Sequence, residues 1–340
     1  MTQNNRYKVA VIGGGTGLPV ILKGLKNLNA DITAIVTVAD DGGSSGTIRN
    51  YVNVVPPGDI RNCMIALSEI NQDLVDMFQY RFDSEDDFLA GHALGNLIIA
   101  ALKEMKGSLH EAIELLSKWM KIQGQILPAA PEALVLNALF EDGSIGIGES
   151  TIANHRKKIK EVMVTNSEGE VAIEASAKVV DAIYDADMVV IGPGSLYTSI
   201  LPNLMIGEIG EAICKTSAQI VYICNIMTQL GETENFTDAN HVEVLHEHLK
   251  MPFVDTVLVN IAPVPEDYIK NQPNEEYLLQ VMHDFNGIRQ QGCHVISSEL
   301  LNMQDGGAYH DTVKVVKELG RILDRVKLLE KNEKRHLMIK

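Results

Sequence analysis

The chain has 340 residues, enough for one large α/β domain or two smaller ones. Its 46% hydrophobic and 22% charged residues are typical of a globular protein with a sizeable core. The formal net charge of -16 argues against a nucleic-acid-binding surface, so local donors would have to hold any anionic ligand. Apolar runs are too short to span a membrane, and the polar start, Met1 to Lys8, has no signal-peptide core. We therefore expect a cytoplasmic protein that does not insert into membranes.

A glycine loop follows the first predicted strand. Val9–Ile12 is a short apolar run that leads into Gly13-Gly14-Gly15-Thr16-Gly17. The apolar residues behind it are spaced as in a helix: Leu18, Ile21, Leu22, Leu25 and Leu28. Strand, glycine loop and helix open a nucleotide-binding βαβ unit, in which the helix N-terminus attracts an anion. The third glycine of the dinucleotide pattern is replaced by Leu18, so the loop predicts a phosphate site more firmly than a dinucleotide site. A turn that only packs strand against helix is the alternative.

A second polar loop follows the next predicted strand. Ile32–Val38 is rich in β-branched residues, and Ala39–Gly46 after it is rich in Asp, Gly and Ser. In a parallel sheet this loop would face the first glycine loop across a crevice. Asp40 and Asp41 would then accept a ribose hydroxyl or hold Mg²⁺ on a phosphate. A solvated turn is the alternative.

Further polar residues along the chain have roles that stay open. Asp59 follows a Pro-Gly turn and is placed to cap a helix. Arg61 either reaches an anion or pairs with a nearby acid. His92 and Asn96, four residues apart on the next helix, either face a site or cap and pack that helix. Trp119 is predicted to lie in the core.

Cysteine and histidine spacing indicates no zinc site. The four cysteines are scattered and predict buried free thiols: they are Cys63, Cys214, Cys224 and Cys293. A helix from Asp238 carries His241, His246 and His248 at a spacing that does not suit a metal, so a solvated face is expected.

The α/β pattern is interrupted by short strands and then resumes. The chain is predicted as one body with four parts: a nucleotide-binding half (8–124), a β-rich insert (125–180), a second α/β half (181–325) and a basic tail (326–340). In the second half, strands end at Gly192-Pro193-Gly194-Ser195, at Asn225 and at Asn260. The carboxyl ends of parallel strands share one edge, so these loops predict one ligand site. A hydrolase elbow and an ordinary P-loop are absent from the sequence.

Six stretches together resemble the bacterial gluconeogenesis factor (YvcK-like, UPF0052) family. They are V-I-G-G-G-T-G-L, T-V-A-D-D-G-G-S-S-G, P-P-G-D-I-R-N-C, G-H-A-L-G-N-L, G-P-G-S-L-Y-T-S-I and N-I-M-T-Q-L-G-E-T. The resemblance runs from about Lys8 to Leu323 and extends to the 2-phospho-L-lactate transferase (CofD-like) superfamily. It implies a three-layer Rossmann-like α/β fold. It also implies binding of UDP-sugars such as UDP-N-acetylglucosamine, and a role in growth and cell shape on gluconeogenic carbon sources.

The resemblance also assigns site residues. Phosphates would be held by Gly14, Gly15, Thr16, Gly17, Gly194 and Ser195. Asp40 and Asp41 would lie where the transferase branch binds its acceptor or Mg²⁺, and they are the candidate catalytic residues. The remaining ligand-binding residues would be Asn62, Asn225, Thr228, Gln229 and Tyr268. One departure is Tyr309, where the family commonly has an arginine, and it changes a charged donor into a neutral one.

Three functions are consistent with these residues. The first is a nucleotide-sugar-binding regulator without turnover. The second is a Mg²⁺-dependent transferase of phosphorus-containing groups, with GDP as an alternative nucleotide. The third and least favoured is an NAD-binding oxidoreductase. The sequence leaves open the base, a homo-oligomer and a protein partner in cell-wall synthesis.

Overall fold

The computed structural model describes residues 6–52, 55–83, 89–171, 173–270, 277–304 and 306–338. The strands are β1 (Tyr7–Gly13), β2 (Ala30–Val36), β3 (Gln125–Pro128), β4 (Val135–Phe140), β5 (Ile145–Ile147), β6 (Ile159–Thr165), β7 (Met188–Ile191), β8 (Gln219–Ile223), β9 (Met227–Gln229), β10 (Thr256–Asn260), β11 (Tyr277–Gln280), β12 (His294–Ser298), β13 (Leu301–Gln304) and β14 (Gly307–His310).

The helices flank the central sheet and pack on one another. They are α1 (Gly17–Leu25), α2 (Gly43–Val52), α3 (Pro57–Leu67), α4 (Gln72–Gln79), α5 (Leu94–Lys106), α6 (Leu109–Met120), α7 (Glu149–His155), α8 (Ala177–Tyr184), α9 (Leu201–Leu204), α10 (Gly207–Lys215), α11 (Asp238–Leu249), α12 (Glu266–Lys270), α13 (Phe285–Gln290) and α14 (Thr312–Met338). A π-helical turn, Leu196–Ile200, precedes α9. Helix α1 packs against α3 and α14, and its apolar stripe is fully buried.

A seven-stranded parallel sheet forms the centre of the protein, in the order β12-β10-β8-β7-β1-β2-β3. Strands β7 and β10 are buried along their whole length, because helices cover both faces of a parallel sheet. Each large apolar side chain buried in this way contributes about 1.5–3 kcal/mol to folding. The predicted Rossmann-like α/β fold is confirmed.

The strand order has a switch point at the middle of the sheet. From β1 the chain adds β2 and β3 on one side, then returns to add β7, β8, β10 and β12 on the other. Connections that leave in opposite directions open a crevice between the carboxyl ends of β1 and β7, where ligands of such sheets bind. The two glycine loops of the sequence follow these two strands.

The segment predicted as a β-rich insert divides between two sheets. Its first residues form β3, which pairs with β2 at the edge of the main sheet. Strands β5, β4 and β6 form a separate antiparallel sheet. The insert is not wholly β: the stretch after β5 is helix α7, and Val171 is a bend.

Several side chains differ from expectation. Trp119 is 60% exposed, and Met120 takes the core position on α6. His241 is fully buried and not solvated. The basic tail continues α14 to Met338.

The prediction that the cysteines are free thiols is confirmed. All four cysteines are free thiols, three of them buried and Cys214 half-buried. Within the described ranges, none of the helices combines the length and apolar character needed to cross a membrane.

Candidate functional site

A cavity of about 460 Å³ lies at the carboxyl edge of the sheet, next to the switch point. We call it the switch-point cavity. Its lining residues are Gly15, Thr16, Gly17, Val20, Glu149, Ala153, Pro193, Gly194, Ser195, Thr198, Ser199, Asn225, Ile226, Met227, Gln229, Glu232, Tyr268, Gly307, Ala308, Tyr309 and His310. They come from the ends of β1, β7 and β8, from α7 and from β14, so distant parts of the chain build one site.

The first glycine loop is held in place by a half-buried carboxylate. Gly15 has a φ of +63°, which favours glycine, and its N–H donates to Asp59 Oδ2 at 2.7 Å. Asp59 was expected to cap α3 but lies in the first turn, because Pro57 begins the helix and Pro56 takes the cap position. Asp59 therefore braces the loop from outside the cavity.

The second glycine loop lies directly on the first. Gly192 N donates to Ile12 O at 3.0 Å, which joins the end of β7 to the end of β1. A Cβ on Gly17 would lie 2.5 Å from the Pro193 carbonyl oxygen, closer than side-chain atoms approach. Backbone can come this near to backbone only because Gly17 has no side chain. The two loops thus form one cradle of main-chain atoms at the N-terminus of α1, the kind of place where phosphate binds.

Two residues of the third predicted loop hold the backbone in place. Asn225 Nδ2 donates to Gly194 O at 2.8 Å, and Gly194 N donates back to Asn225 Oδ1 at 3.3 Å. Thr228 Oγ1 donates to Leu279 O and accepts from Leu279 N, both at 3.2 Å, which fixes β11 against β9. These side chains shape the cavity through the main chain that they bind.

Ser195 is already engaged by its neighbours. Its hydroxyl donates to Glu232 Oε2, and it accepts from Thr198 Oγ1 at 2.7 Å. A phosphate could therefore receive a hydrogen bond from Ser195 only after the hydroxyl turns away from Glu232. The sequence analysis did not single out Glu232, although it stands in the N-I-M-T-Q-L-G-E-T stretch.

Negative charge is concentrated on one wall of the cavity. Burial, followed by the charges of Asp40, Asp41, Glu232 and Asp59, raises the pKa of Glu149 to about 8. Burial also raises the pKa of Asp59 to about 6, although the hydrogen bond from Gly15 opposes this shift. Glu149 is thus protonated at neutral pH. It belongs to the insert, and no local pattern in the sequence links it to the glycine loops.

The paired aspartates lie behind this wall and are not among the lining residues. Asp40 Oδ1 accepts from Gly42 N and Asp41 Oδ1 from Ser150 N, each at 2.8 Å. The loop that carries them is shorter than expected, because α2 begins at Gly43. Among the described residues, no group of three or more His, Cys, Asp or Glu is placed to hold a metal. Mg²⁺ commonly uses only one or two carboxylates together with phosphate oxygens and water, so these two residues fit that mode, and a magnesium site stays a prediction.

Tyr309 and His310 also line the cavity. Tyr309, where the sequence resemblance implies an arginine, is 41% exposed. His310 Nε2 lies 3.1 Å from the Cys224 carbonyl oxygen, and burial lowers the pKa of His310 to about 4, so the ring is uncharged. Within the part of the chain that the structure describes, the lining contains neither Lys nor Arg.

The structure brings together most of the residues predicted for the site. Those that line the cavity are Gly15, Thr16, Gly17, Gly194, Ser195, Asn225, Gln229 and Tyr268. The others lie outside the lining: Gly14, Asp40, Asp41, Asn62 and Thr228. Asn62 faces Arg61, from which its side-chain oxygen accepts a hydrogen bond at 2.9 Å. Their roles in ligand binding stay predictions.

Residues 9–301 match the sequence pattern of the family described as 2-phospho-L-lactate transferase CofD. The chain belongs to the CofD family. A curated CofD-family relative from Streptococcus pyogenes serotype M3, named putative gluconeogenesis factor, is 53% identical over 320 residues, 94% of this chain and 98% of the relative. The gluconeogenesis factor of Listeria innocua is 47% identical over 94% of this chain and 96% of its own length. The chain thus falls in the gluconeogenesis factor branch.

A solved structure from the same branch has the same fold. The crystal structure of a Bacillus halodurans protein, described as a member of the UPF0052 family, superposes with a TM-score of 0.87. The two sequences are 41% identical, and the match covers 92% of this chain and 99% of the other. The resemblance inferred from the six sequence stretches is therefore confirmed at the level of family and fold.

Proposed function

We propose that this CofD-family protein is a gluconeogenesis factor that binds a nucleotide sugar of the UDP-N-acetylglucosamine type. It would act in the cytoplasm as a regulator of growth and cell shape on gluconeogenic carbon sources. The observation that carries the binding proposal is the contact between the two glycine loops at the switch point. The names of the curated relatives support the link to gluconeogenesis.

The phosphates would bind to main-chain N–H groups. Thr16 is the N-cap of α1, but its hydroxyl accepts no capping hydrogen bond from a backbone N–H of the helix. The N–H groups of the glycine loops and the positive end of the α1 dipole favour an anion. They are the main source of attraction, because neither Lys nor Arg is among the described lining residues. A diphosphate would thus be held mainly by backbone.

The rest of the cavity suits a ligand rich in hydroxyl groups. Glu232 and Gln229 offer acceptor oxygens, and protonated Glu149 offers a donor. Tyr268 and Tyr309 add aromatic surface that suits a sugar or base. These groups favour a sugar nucleotide over a nicotinamide dinucleotide, because nothing in the lining resembles a hydride-transfer dyad.

A second candidate is a Mg²⁺-dependent phosphotransferase that resembles the 2-phospho-L-lactate transferases. The concentration of carboxylates around Glu149 favours it, since a binding protein has no evident need for them. A bound Mg²⁺ would neutralise charge that develops on the phosphates. In this candidate, Asp40 or Asp41 would accept the proton of a hydroxyl acceptor, and the glycine loops would orient the leaving nucleotide.

The decisive experiment is calorimetry of the purified chain with UDP-N-acetylglucosamine, GDP and NAD, each with and without Mg²⁺. The proposal expects tight binding of the UDP-sugar, which is recovered intact afterwards. A preference for GDP with a metal requirement would favour the transferase. Binding of NAD alone, with hydride transfer, would overturn both.

A further inference from the structure

Arg61 is a buried cation on the side of α3 that faces away from the switch-point cavity. It is only 6% exposed, and its side chain lies against α5, since a Cβ on Gly95 would be 2.8 Å from Arg61 Cδ. Asp59, two residues earlier on the same helix, points the other way and binds Gly15. The helix thus separates Arg61 from the glycine loops.

The Arg61 guanidinium is incompletely paired. Its Nη2 donates to Asn62 Oδ1 at 2.9 Å, whereas buried Nε and Nη1 have no hydrogen-bond partner among the residues that the structure describes. Burial and the nearby charge of Arg81 lower the pKa of Arg61 to about 10, and Asp59 opposes this shift, so Arg61 is still charged at neutral pH. A buried charge without partners is costly, which is why such groups in proteins are almost always paired.

A group of hydrogen-bonded polar side chains begins at Asn96, next to Gly95. Asn96 is 1% exposed and donates to Ser44 Oγ at 3.1 Å, and Ser44 Oγ lies 2.9 Å from His92 Nδ1. Asn96 Oδ1 is buried and has no partner within the described ranges. These residues come from sequence stretches that the cavity does not use.

We propose that Arg61, assisted by the nearby Arg81, binds a small phosphate or carboxylate group at the contact between α3 and α5. The planar guanidinium has two forks that match the paired oxygens of an oxyanion, Nε with Nη2 and Nη1 with Nη2. Each fork contains one donor, Nε or Nη1, that has no partner among the described residues. Arg81 is exposed and donates to Gly91 O at 2.8 Å, so it marks the solvent side of this site. The site is separate from the nucleotide-sugar cavity.

The test uses inorganic phosphate and malonate as probes, added to the full chain at constant ionic strength. Affinity is measured by calorimetry and stability by thermal unfolding, for the wild type and for Arg61→Met, Arg61→Lys and Arg321→Met. Arg321 is an exposed arginine that pairs with Glu318, so it is the matched control. Every titration is repeated in a Gly17→Ala background, which removes phosphate binding to the glycine loops.

We expect at least one probe to bind the wild type and the control equally. Arg61→Met should weaken that binding at least about tenfold, because the charge-assisted pair is lost. Without a probe, this variant should unfold at the same or a higher temperature, because an uncompensated buried charge is gone. Phosphate selectivity over malonate would identify the group as a phosphate, and the reverse as a carboxylate.

Three results would overturn the proposal. They are absence of binding of either probe to the wild type, unchanged binding in Arg61→Met, and wild-type affinity in Arg61→Lys, which keeps the charge but loses the fork. If Arg61→Met does not fold, the proposal is tested with Arg61→Lys alone. Several-fold weaker binding of the probe to Arg61→Lys than to the wild type would then support it. Binding of UDP-N-acetylglucosamine is measured separately. If the chain does not bind this nucleotide sugar, the proposal for an anion site at Arg61 is unaffected.

Discussion

A large depression lies at each end of the central sheet. The two depressions differ in volume and in the interactions of the residues that line them. The switch-point cavity at the carboxyl end holds about 460 Å³, whereas a cleft at the amino end, which we call the amino-edge cleft, holds about 1060 Å³. Several charged residues of the larger cleft form ion pairs with one another. The pairs are Arg6 with Asp31, Lys8 with Asp185, and Lys178 with Glu114.

If the switch-point cavity binds the ligand, as we propose, volume is a poor guide to the binding site in this protein. The ion pairs of the amino-edge cleft are exposed, and such pairs are worth little in stability and select no ligand. The smaller cavity has backbone in contact with backbone and a buried carboxyl with a strongly shifted pKa. Groups that the fold holds in costly states indicate function more reliably than space does.

The largest expected effect is at Gly17. In Gly17→Ala the new Cβ would lie 2.5 Å from the Pro193 carbonyl oxygen, so the two glycine loops would have to move apart. We expect affinity for the nucleotide sugar to fall at least about 100-fold, with a loss of roughly 1–3 kcal/mol in the free energy of unfolding. Calorimetry and denaturant unfolding measure the two effects.

Gly207→Ala is the matched control, because a Cβ on Gly207 meets nothing within 4 Å. This variant should bind and unfold as the wild type does. Wild-type affinity in Gly17→Ala would mean that the glycine loops are not the phosphate site, and the contrast between the two ends of the sheet would lose its functional meaning.

A pH-dependent effect of intermediate size is expected at Glu149. Its pKa is raised to about 8 in the folded protein, so ionisation above this pH puts a negative charge beside the phosphates. Nucleotide-sugar affinity of the wild type should fall about 3- to 10-fold between pH 7 and pH 9, and Glu149→Gln should flatten this profile. Calorimetry at both pH values tests the difference.

The same residue should change stability in a predictable direction. The neutral form of Glu149 is favoured in the folded state, so wild-type stability falls as pH rises from the unfolded pKa, near 4.3, to about 8. Glu149→Gln should therefore be more stable than the wild type at pH 9, by on the order of 1 kcal/mol, and similar to it below pH 4. A variant that is equally destabilised at every pH would contradict the assigned charge state.

The smallest effect is expected in the amino-edge cleft. Lys178→Ala removes an exposed partner of Glu114, 3.3 Å away, and should change nucleotide-sugar affinity less than about twofold. The free energy of unfolding should stay within about 0.5 kcal/mol of the wild type. A tenfold loss of affinity, measured by calorimetry, would place the ligand at the amino end and reverse the comparison.

The sequence was a good guide to the sheet and to the glycine loops. Buried parallel strands are short apolar runs, and Val9–Ile12 and Met188–Ile191 have this form in the sequence. Gly17 and Gly194 follow these runs directly, so the rule that carboxyl ends share one edge brings them together. Local pattern and topology agree in this part of the molecule.

Other features could not be predicted because they depend on packing between distant segments. Trp119 and Met120 both suit the apolar stripe of α6, and only the structure shows that Met120 is inside. His241 looked solvated, yet it is buried with its Nδ1 2.8 Å from Thr237 O and its ring edge-on to Phe236. Glu149 reaches the cavity from the insert, which the linear sequence places far from either glycine loop.

The path between the edge strand β3 and the central strand β7 has a consequence for the cavity. This crossover carries the antiparallel sheet β5-β4-β6 and helix α7, and α7 delivers Glu149 to the cavity. No strand of the seven-stranded sheet lies within it, yet its apolar residues, such as Phe140 and Ile152, belong to the same hydrophobic core as the sheet. A substitution in the core of the crossover can therefore move Glu149 and change the cavity without touching either glycine loop.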